Sequence, residues 1–161
     1  LYTLSKRAPS TTRPPLHNFI IFFLKYKVNI IHIMNIKKFS YKKIYNKKGS
    51  LLPVSFKKML NFKVKRIFFI SGKKNIMRGD HAHKKCYQAL LQVEGKSKIN
   101  LYRNQKKRIL SLNEKKNIGI VIPPKIWVQI KFLSKKNLIL VFCSEEYDQK
   151  DYIYNFKDIS K

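Results

Sequence analysis

Cysteine is scarce in this sequence, and a disulfide framework is not indicated. The chain contains two cysteines, Cys86 and Cys143, each in an apolar, strand-like segment and without a Cys-x-x-Cys spacing. Small secreted domains held together by disulfides carry several cysteines at regular spacings. We therefore expect two buried, reduced side chains and a cytoplasmic protein.

Glycine and proline are also few. The sequence has 5 Gly and 6 Pro in 161 residues, which excludes a collagen-like or low-complexity chain. Apolar residues make up 44% and aromatic residues 13%, so the composition is that of a globular protein. The length suits a single domain with one substantial core.

Acidic residues are the scarcest charged type. Only 8 Asp and Glu stand against 36 Lys and Arg, for a formal net charge of +28. This charge would suit a nucleic-acid partner. However, lysine greatly outnumbers arginine and occurs in scattered pairs, mostly at expected turns, and no stripe of clustered arginine and aromatic residues is present. We therefore expect a solvated basic surface that attracts an anionic substrate, and no nucleic-acid partner.

No hydrophobic run in the N-terminal part is long enough to span a membrane. The segment Phe19–Leu24 ends at Lys25, far short of the ~20 residues that a membrane span needs. It is also short for a signal-peptide core, and no small-residue cleavage site follows. Residues 1–33 are either a targeting or membrane-surface segment, or a product of translation upstream of Met34. We prefer the second interpretation, and expect a non-native or disordered leader followed by one domain over 34–161.

From Ile36 onward the sequence is a series of short apolar segments separated by turns. The predicted strands are residues 39–45, 51–56, 64–70, 87–93, 98–102, 108–112, 119–122, 127–132 and 138–142. A hairpin is predicted at Glu94-Gly95, and helical turns near Lys57–Leu60 and after Asp151. Strands at a spacing of roughly 8–12 residues, with no helical period between them, indicate an all-β sandwich or barrel.

The segment that carries chemistry is Arg78-Gly-Asp-His-Ala-His83. His81 and His83 are two residues apart, so on a strand both side chains project from the same face. Gln88 follows after four residues and Gly95 after six more, which is the spacing of the first cupin motif with Gln in place of Glu. A pair of structural histidines in a loop is the simpler interpretation, but this segment is too polar to serve packing.

Gln88 decides between a metal site and acid–base chemistry. A metal-binding cupin uses the two histidines, the Glu and a further His on a later strand. Gln88 is a neutral and poor ligand, the later strand over 120–129 contains no His, and the remaining histidines, His17 and His32, precede Met34. We therefore predict no metal and no other cofactor, with the histidines acting as acid and base.

With these motifs, residues 34–161 resemble the sugar 3,4-ketoisomerase family, whose members act on dTDP-4-keto-6-deoxyglucose. The matching positions are 48–51, 65–70, 78–84, 88, 95, 119–127, 147–153 and 156. The His-Ala-His-Lys core and the Tyr-Asp-x-x-Asp-Tyr-Ile tail are specific in combination, whereas either alone would be a weak signal.

The resemblance implies a cupin-type double-stranded β-helix (jelly roll) that works as a homodimer in deoxysugar and surface-polysaccharide biosynthesis. The implied reaction moves the carbonyl of a dTDP-linked keto-deoxysugar from C4 to C3 through an enediol(ate). Carried onto this sequence, His83 is the expected base and His81 its partner in moving protons. Arg78 is expected to hold the enediolate or the diphosphate. The other expected substrate-binding residues are Lys48, Gln88 and Trp127.

Three departures from the family pattern leave alternatives open. Lys48 stands where members usually carry Arg, and Phe69 lies in a strand that commonly holds a Tyr. Val128-Gln129 follow Trp127 where many members have a His or an acidic residue. One alternative is a keto-sugar 3,5-epimerase, which needs a Tyr acid opposite the His base, here Tyr87 or Tyr102. The other is a non-catalytic cupin that binds sugar nucleotides, in which the changes at Lys48 and Phe69 mark lost activity.

Overall fold

Short antiparallel strands make up most of the molecule. The computed structural model describes residues 34–159. Its strands are β1 (Lys37–Ser40), β2 (Ile44–Asn46), β3 (Gly49–Leu51), β4 (Arg66–Ser71), β5 (Met77–His83), β6 (Gln88–Glu94), β7 (Lys96–Arg103), β8 (Lys106–Asn113), β9 (Ile118–Ile122), β10 (Trp127–Phe132), β11 (Leu138–Cys143) and β12 (Tyr152–Ile153). The helical segments are α1 (Phe56–Met59) and three 3₁₀ turns at Glu114–Lys116, Gln149–Asp151 and Phe156–Ile159.

The strands form two five-stranded sheets. The first has the order β1-β9-β6-β11-β4 and the second the order β12-β5-β10-β7-β8, while β2 and β3 pair as a separate hairpin. All pairings are antiparallel. The two sheets pack face to face as a double-stranded β-helix, so the predicted fold class is confirmed.

The core lies between the inner faces of the two sheets. On β4 the inward residues Phe68 and Ile70 pack against it, whereas Ile67 and Phe69 point outward and are exposed. This alternation is what a strand with one buried face requires. A second apolar layer, drawn largely from residues 52–64, covers the outer face of the first sheet. Strand β6 is consequently buried on both faces over most of its length, which explains its consecutive apolar residues Ala89, Leu90 and Leu91.

The predicted hairpin at Glu94-Gly95 is wrong. Strand β6 belongs to the first sheet and β7 to the second, so the turn carries the chain between sheets. Gly95 has a φ of +84°, and a Cβ there would lie 2.2 Å from the Lys136 carbonyl oxygen, so only glycine fits. The hairpin in this region joins β7 to β8 through Asn104 and Gln105, both with positive φ.

Three further predictions differ from the structure in detail. The segment 39–45 is divided between β1 and β2, and 51–56 is mostly irregular chain leading into α1. Strand β5 was not among the predicted strands, because Gly79 and the charged residues around it have low β-propensity. The helical turns predicted near Lys57–Leu60 and after Asp151 are confirmed by α1 and by the turn at Phe156–Ile159.

The domain boundary expected at Met34 stays a prediction. Met34 is fully buried in the core between the sheets. The leader expected over residues 1–33 lies outside the described residues. Within residues 34–159, no helix has the length and apolar character that crossing a membrane requires.

Candidate active site

A cavity of about 720 Å³ opens between the two sheets. Strands β4, β5, β6, β10 and β11 supply its walls, and Tyr152 closes one side. The volume is within the ~300–1,000 Å³ range of sites that bind small molecules. Among the residues predicted to form the site, those that line this cavity are Arg78, His81 and Gln88.

A β-bulge in β5 sets the direction of the residues on the cavity wall. Gly79 pairs with Gln129 and His81 with Val128, so Asp80 between them has no partner on β10. Gly79 and Asp80 both have positive φ, and a Cβ on Gly79 would lie 2.6 Å from the Val128 carbonyl oxygen. The extra residue reverses the alternation of side chains. Arg78 and His81, three residues apart, therefore share the inner face.

His81 presents a free nitrogen to the cavity. Its Nδ1 lies 3.0 Å from the Gly79 carbonyl oxygen, which can only accept, so Nδ1 carries the proton and Nε2 keeps its lone pair. Burial lowers the pKa of His81 below its ordinary value, against the opposing effects of this hydrogen bond and of Asp80. His81 is thus neutral at neutral pH and able to accept a proton.

His83 lies behind His81 and is buried. The two rings have centroids 5.1 Å apart, in agreement with the prediction that they project from one face. His83 Nδ1 lies 2.8 Å from Asp151 Oδ2, and Nε2 lies 3.1 Å from the Gln88 amide nitrogen. The Gln88 nitrogen donates, so Nε2 accepts and Nδ1 donates to the carboxylate. Burial lowers the pKa of His83, although the bond to Asp151 opposes that shift.

Asp151 is a site residue to which the sequence pattern assigned no role. It is 68 residues from His83 and enters the site through the 3₁₀ turn that precedes β12. Its second oxygen, Oδ1, accepts from the Lys85 backbone amide at 2.7 Å. Burial raises the pKa of this carboxyl, but the bonds from His83 and Lys85 outweigh it and the net shift is downward. The only sequence signal was that Asp151 falls within the matching C-terminal motif.

Tyr152 was also missed as a candidate. Its ring lies 5.0 Å from that of His81 and 4.4 Å from that of His83, and it lines the cavity. Burial raises the pKa of Tyr152, so its hydroxyl stays protonated at neutral pH. By contrast, Tyr87 packs against Phe62 and Tyr102 donates to Gln129, and neither lines this cavity.

Two predicted binding residues lie away from the cavity walls. Trp127 is buried with Ala82 and Ile159, and its indole nitrogen donates to Asp80 Oδ1 at 3.0 Å. Lys48 is exposed in the turn between β2 and β3. Their substrate-binding roles stay predictions. Trp127 contacts the site through Asp80, whose carboxylate is at the cavity wall.

One group of side chains has the composition of a metal site. Donor atoms of His83, Cys86 and Asp151 lie within 4.8 Å of one another. Each is already engaged: His83 Nδ1 with one oxygen of Asp151, the other oxygen with Lys85, and the Cys86 thiol with the Tyr87 carbonyl at 3.3 Å. A metal would have to displace all of these bonds, so the donor set does not fit an ion.

Comparisons with known proteins give a consistent family. The family model described as FdtA, WxcM-like, C-terminal matches residues 31–161. The TDP-4-oxo-6-deoxy-alpha-D-glucose-3,4-oxoisomerase of Aneurinibacillus thermoaerophilus is 30% identical over 129 residues, covering 80% of this chain and 92% of the relative.

Solved structures indicate the same family. QdtA, a sugar 3,4-ketoisomerase of Thermoanaerobacterium thermosaccharolyticum solved with TDP, is 34% identical with a TM-score of 0.71, over 78% of this chain and 92% of that one. A variant of QdtA was solved with TDP-4-keto-6-deoxyglucose. WlaRA, the TDP-fucose-3,4-ketoisomerase of Campylobacter jejuni, is 32% identical with a TM-score of 0.69, over 79% of this chain and 94% of that one. With a His-x-His pair at a cavity between jelly-roll sheets, this chain belongs to the FdtA, WxcM-like family of sugar 3,4-ketoisomerases.

Proposed function

We propose that this protein moves the carbonyl of a TDP-linked 4-keto-6-deoxyhexose from C4 to C3. The observation that carries the proposal is the neutral imidazole of His81, which offers a free nitrogen to a cavity of the size of a small ligand. Family membership supplies the substrate class, because the relatives act on or bind such nucleotide sugars.

His81 is the better-placed base, in place of His83. Its Nε2 is free, whereas Nε2 of His83 accepts from Gln88 and its Nδ1 is bonded to Asp151. His81 would remove the proton from C3, which the adjacent ketone acidifies. The electrons of the C–H bond would form the C3–C4 double bond while the carbonyl π electrons move onto the C4 oxygen, which gives an enediolate. The imidazolium would then return a proton to C4 as the proton of the C3 hydroxyl passes to the C4 oxygen, leaving a ketone at C3 and a hydroxyl at C4.

Two further groups suit the charge that develops on the sugar oxygens. Arg78 shares the inner face with His81 and can pair with the enediolate or the diphosphate. The Tyr152 hydroxyl, protonated at neutral pH, can donate to an oxygen of the sugar. It replaces Tyr87 and Tyr102 as the candidate for the second proton donor.

The function is tested by incubating TDP-4-keto-6-deoxyglucose with the protein in heavy water and following proton NMR. A 3-keto product with deuterium at C4 supports isomerisation. Deuterium at C3 and C5 with the ketone still at C4 would instead show epimerisation, and binding without exchange would leave a non-catalytic cupin.

The histidine roles are tested by His81→Asn and His83→Asn in the same assay. His81→Asn should lower kcat by about 10²–10⁴-fold with substrate binding largely retained, because a general base acts in the transition state. His83→Asn should reduce kcat less, since that ring only supports its neighbours. The opposite order would restore His83 as the base.

The cellular setting follows as part of the proposal. Free Cys86 and Cys143 suit the reducing cytoplasm, where nucleotide sugars are made. We also expect a homodimer that serves deoxysugar and surface-polysaccharide biosynthesis. Light scattering coupled to gel filtration tests the dimer, and neighbouring genes for an aminotransferase and an acyltransferase would support the pathway.

A further inference from the structure

Two donors converge on one buried sulfur beneath the cavity. Cys143 Sγ lies 3.5 Å from Arg66 Nη2 and 3.8 Å from Gln88 Nε2. Cys143 itself is fully buried at the end of β11. A guanidinium and an amide nitrogen can only donate, so the sulfur acts as their acceptor, a role that suits a thiolate better than a neutral thiol, which accepts only weakly.

Arg66 needs a negative charge at this place. Within residues 34–159, the ion pairs that involve a carboxylate are Lys65–Glu145 and His83–Asp151, and Arg66 is in neither. Its guanidinium lies over the rings of Phe68 and Tyr147. A partly buried cation without a counter-charge is costly, and the Cys143 sulfur, 3.5 Å from Arg66 Nη2, is a group able to supply one.

The sulfur also orients the Gln88 amide. One Gln88 NH₂ group faces two acceptors, His83 Nε2 at 3.1 Å and Cys143 Sγ at 3.8 Å. If the amide rotated by half a turn, its oxygen would face both acceptors and be repelled by both. The amide orientation in turn keeps the proton of His83 on Nδ1, toward Asp151.

Four groups from three parts of the fold face the sulfur. They are Arg66 on β4, Cys86 just before β6, Gln88 at the start of β6, and Tyr152 on β12. The neighbouring Cys86, followed by the bonds and charge of Arg66 and the bond from Gln88, lowers the pKa of the Cys143 thiol despite its burial. The pKa of Cys86 moves the opposite way.

We propose that Cys143 is a positioning residue for the isomerisation: as a thiolate, it balances the charge of Arg66 and holds the Gln88 nitrogen toward His83. The proposal rests on the proposed function only for its effect on turnover. The charge on the sulfur is a property of the unliganded protein, so an experiment can refute the role of Cys143 without refuting the proposed function, and the reverse.

The charge is measured by ultraviolet absorbance of the thiolate in a pH titration without substrate. Wild-type protein should show one thiolate that forms well below ~8.5, the pKa of a free cysteine. The step should disappear in Cys143→Ser and remain in Cys86→Ser, which leaves the donors Arg66 and Gln88 in place. It should move to higher pH in Arg66→Gln, because the amide keeps a donor but not the charge.

The effect on turnover is measured by steady-state kinetics. Cys143→Ser should lower kcat by about tenfold or more, the equivalent of one charge-assisted hydrogen bond, with KM changed less than about twofold. Cys143→Asp keeps an anionic acceptor and should retain more kcat than Cys143→Ser. The fold-decrease in kcat of the Arg66→Gln/Cys143→Ser double variant should be smaller than the product of the two single-variant decreases, since both substitutions remove the same contact.

The outcomes separate the two proposals. If wild-type protein shows no thiolate below ~8.5, or if Cys143→Ser has wild-type kcat, the role of Cys143 is refuted. The wild-type titration decides the matter even where a variant does not fold. A clear thiolate in a protein that does not isomerise the sugar would contradict the proposed function and leave the charge on Cys143 established.

Discussion

Asp151→Asn isolates the contribution of the residue that links the C-terminal motif to the histidine pair. In the wild type the two carboxylate oxygens accept two donors, Nδ1 of His83 at 2.8 Å and the Lys85 amide at 2.7 Å. Asparagine offers one oxygen and one NH₂ group. Only one of these donors can then be satisfied, whichever way the amide is oriented.

The size of the destabilisation follows from the number of donors that lose an acceptor. One orientation leaves the Lys85 amide facing the NH₂ group. The other forces the proton of His83 to Nε2, where it opposes the Gln88 nitrogen. Either way one buried donor loses its acceptor, at a cost of about 1–3 kcal/mol in the free energy of unfolding. Because His83 is neutral, the larger cost of about 3–5 kcal/mol for breaking a buried ion pair does not apply.

The assay is urea unfolding together with kcat at one pH. The matched control is Asp148→Asn in the same turn, where the carboxylate is exposed and accepts from the Lys150 amide at 2.8 Å. Asparagine keeps that bond, so the control should change the free energy by less than about 0.5 kcal/mol. If Asp151→Asn were as stable and as active as Asp148→Asn, the assigned hydrogen bonds would be refuted.

Three other predictions concern pH, metal and the N-terminal residues. Burial lowers the pKa values of His81 and His83, so the unfolded chain binds protons more readily than the folded protein does. The free energy of unfolding should therefore be at its highest above pH ~6.5 and fall as the pH drops below that value. Urea titrations at pH ~7.5 and ~5.5 check this, and equal values would contradict it. Purified protein should contain no stoichiometric Zn, Fe or Mn and keep its kcat with chelator, whereas one tightly held ion per chain would overturn the acid–base account. Removing residues 1–33 should leave the unfolding midpoint and turnover unchanged, because residues 34–159 by themselves form the two sheets and the core between them; loss of solubility would show that the segment belongs to the protein.

The local pattern of the sequence was sufficient for several features. The strand segments from residue 64 onward other than β5 and β12, and the shared face of His81 and His83, follow from local apolar patterns and the period of two in a β-strand, which neighbouring residues alone determine. The buried, reduced state of Cys86 and Cys143 followed from their apolar surroundings. The family could be predicted because its two motifs are short and contiguous.

Only the tertiary structure decided how these segments form a site. The sequence could not show that the turn at Gly95 crosses between sheets, because a sharp turn looks the same whether it joins paired or unpaired strands. Nor could it show the bulge at Asp80, which turns Arg78 and His81 to one face and depends on the register with β10.

The partners of the histidines come from distant parts of the chain. Asp151 reaches His83 across 68 residues, and Cys143 meets Arg66 across 77. Burial of His81 and His83, which sets their pKa values, exists only once the two sheets have packed. The sequence by itself determined which side chains could do the chemistry. The packing of the sheets determined which imidazole is free to act as the base, since strand pairing and burial are properties of contacts that no local pattern encodes.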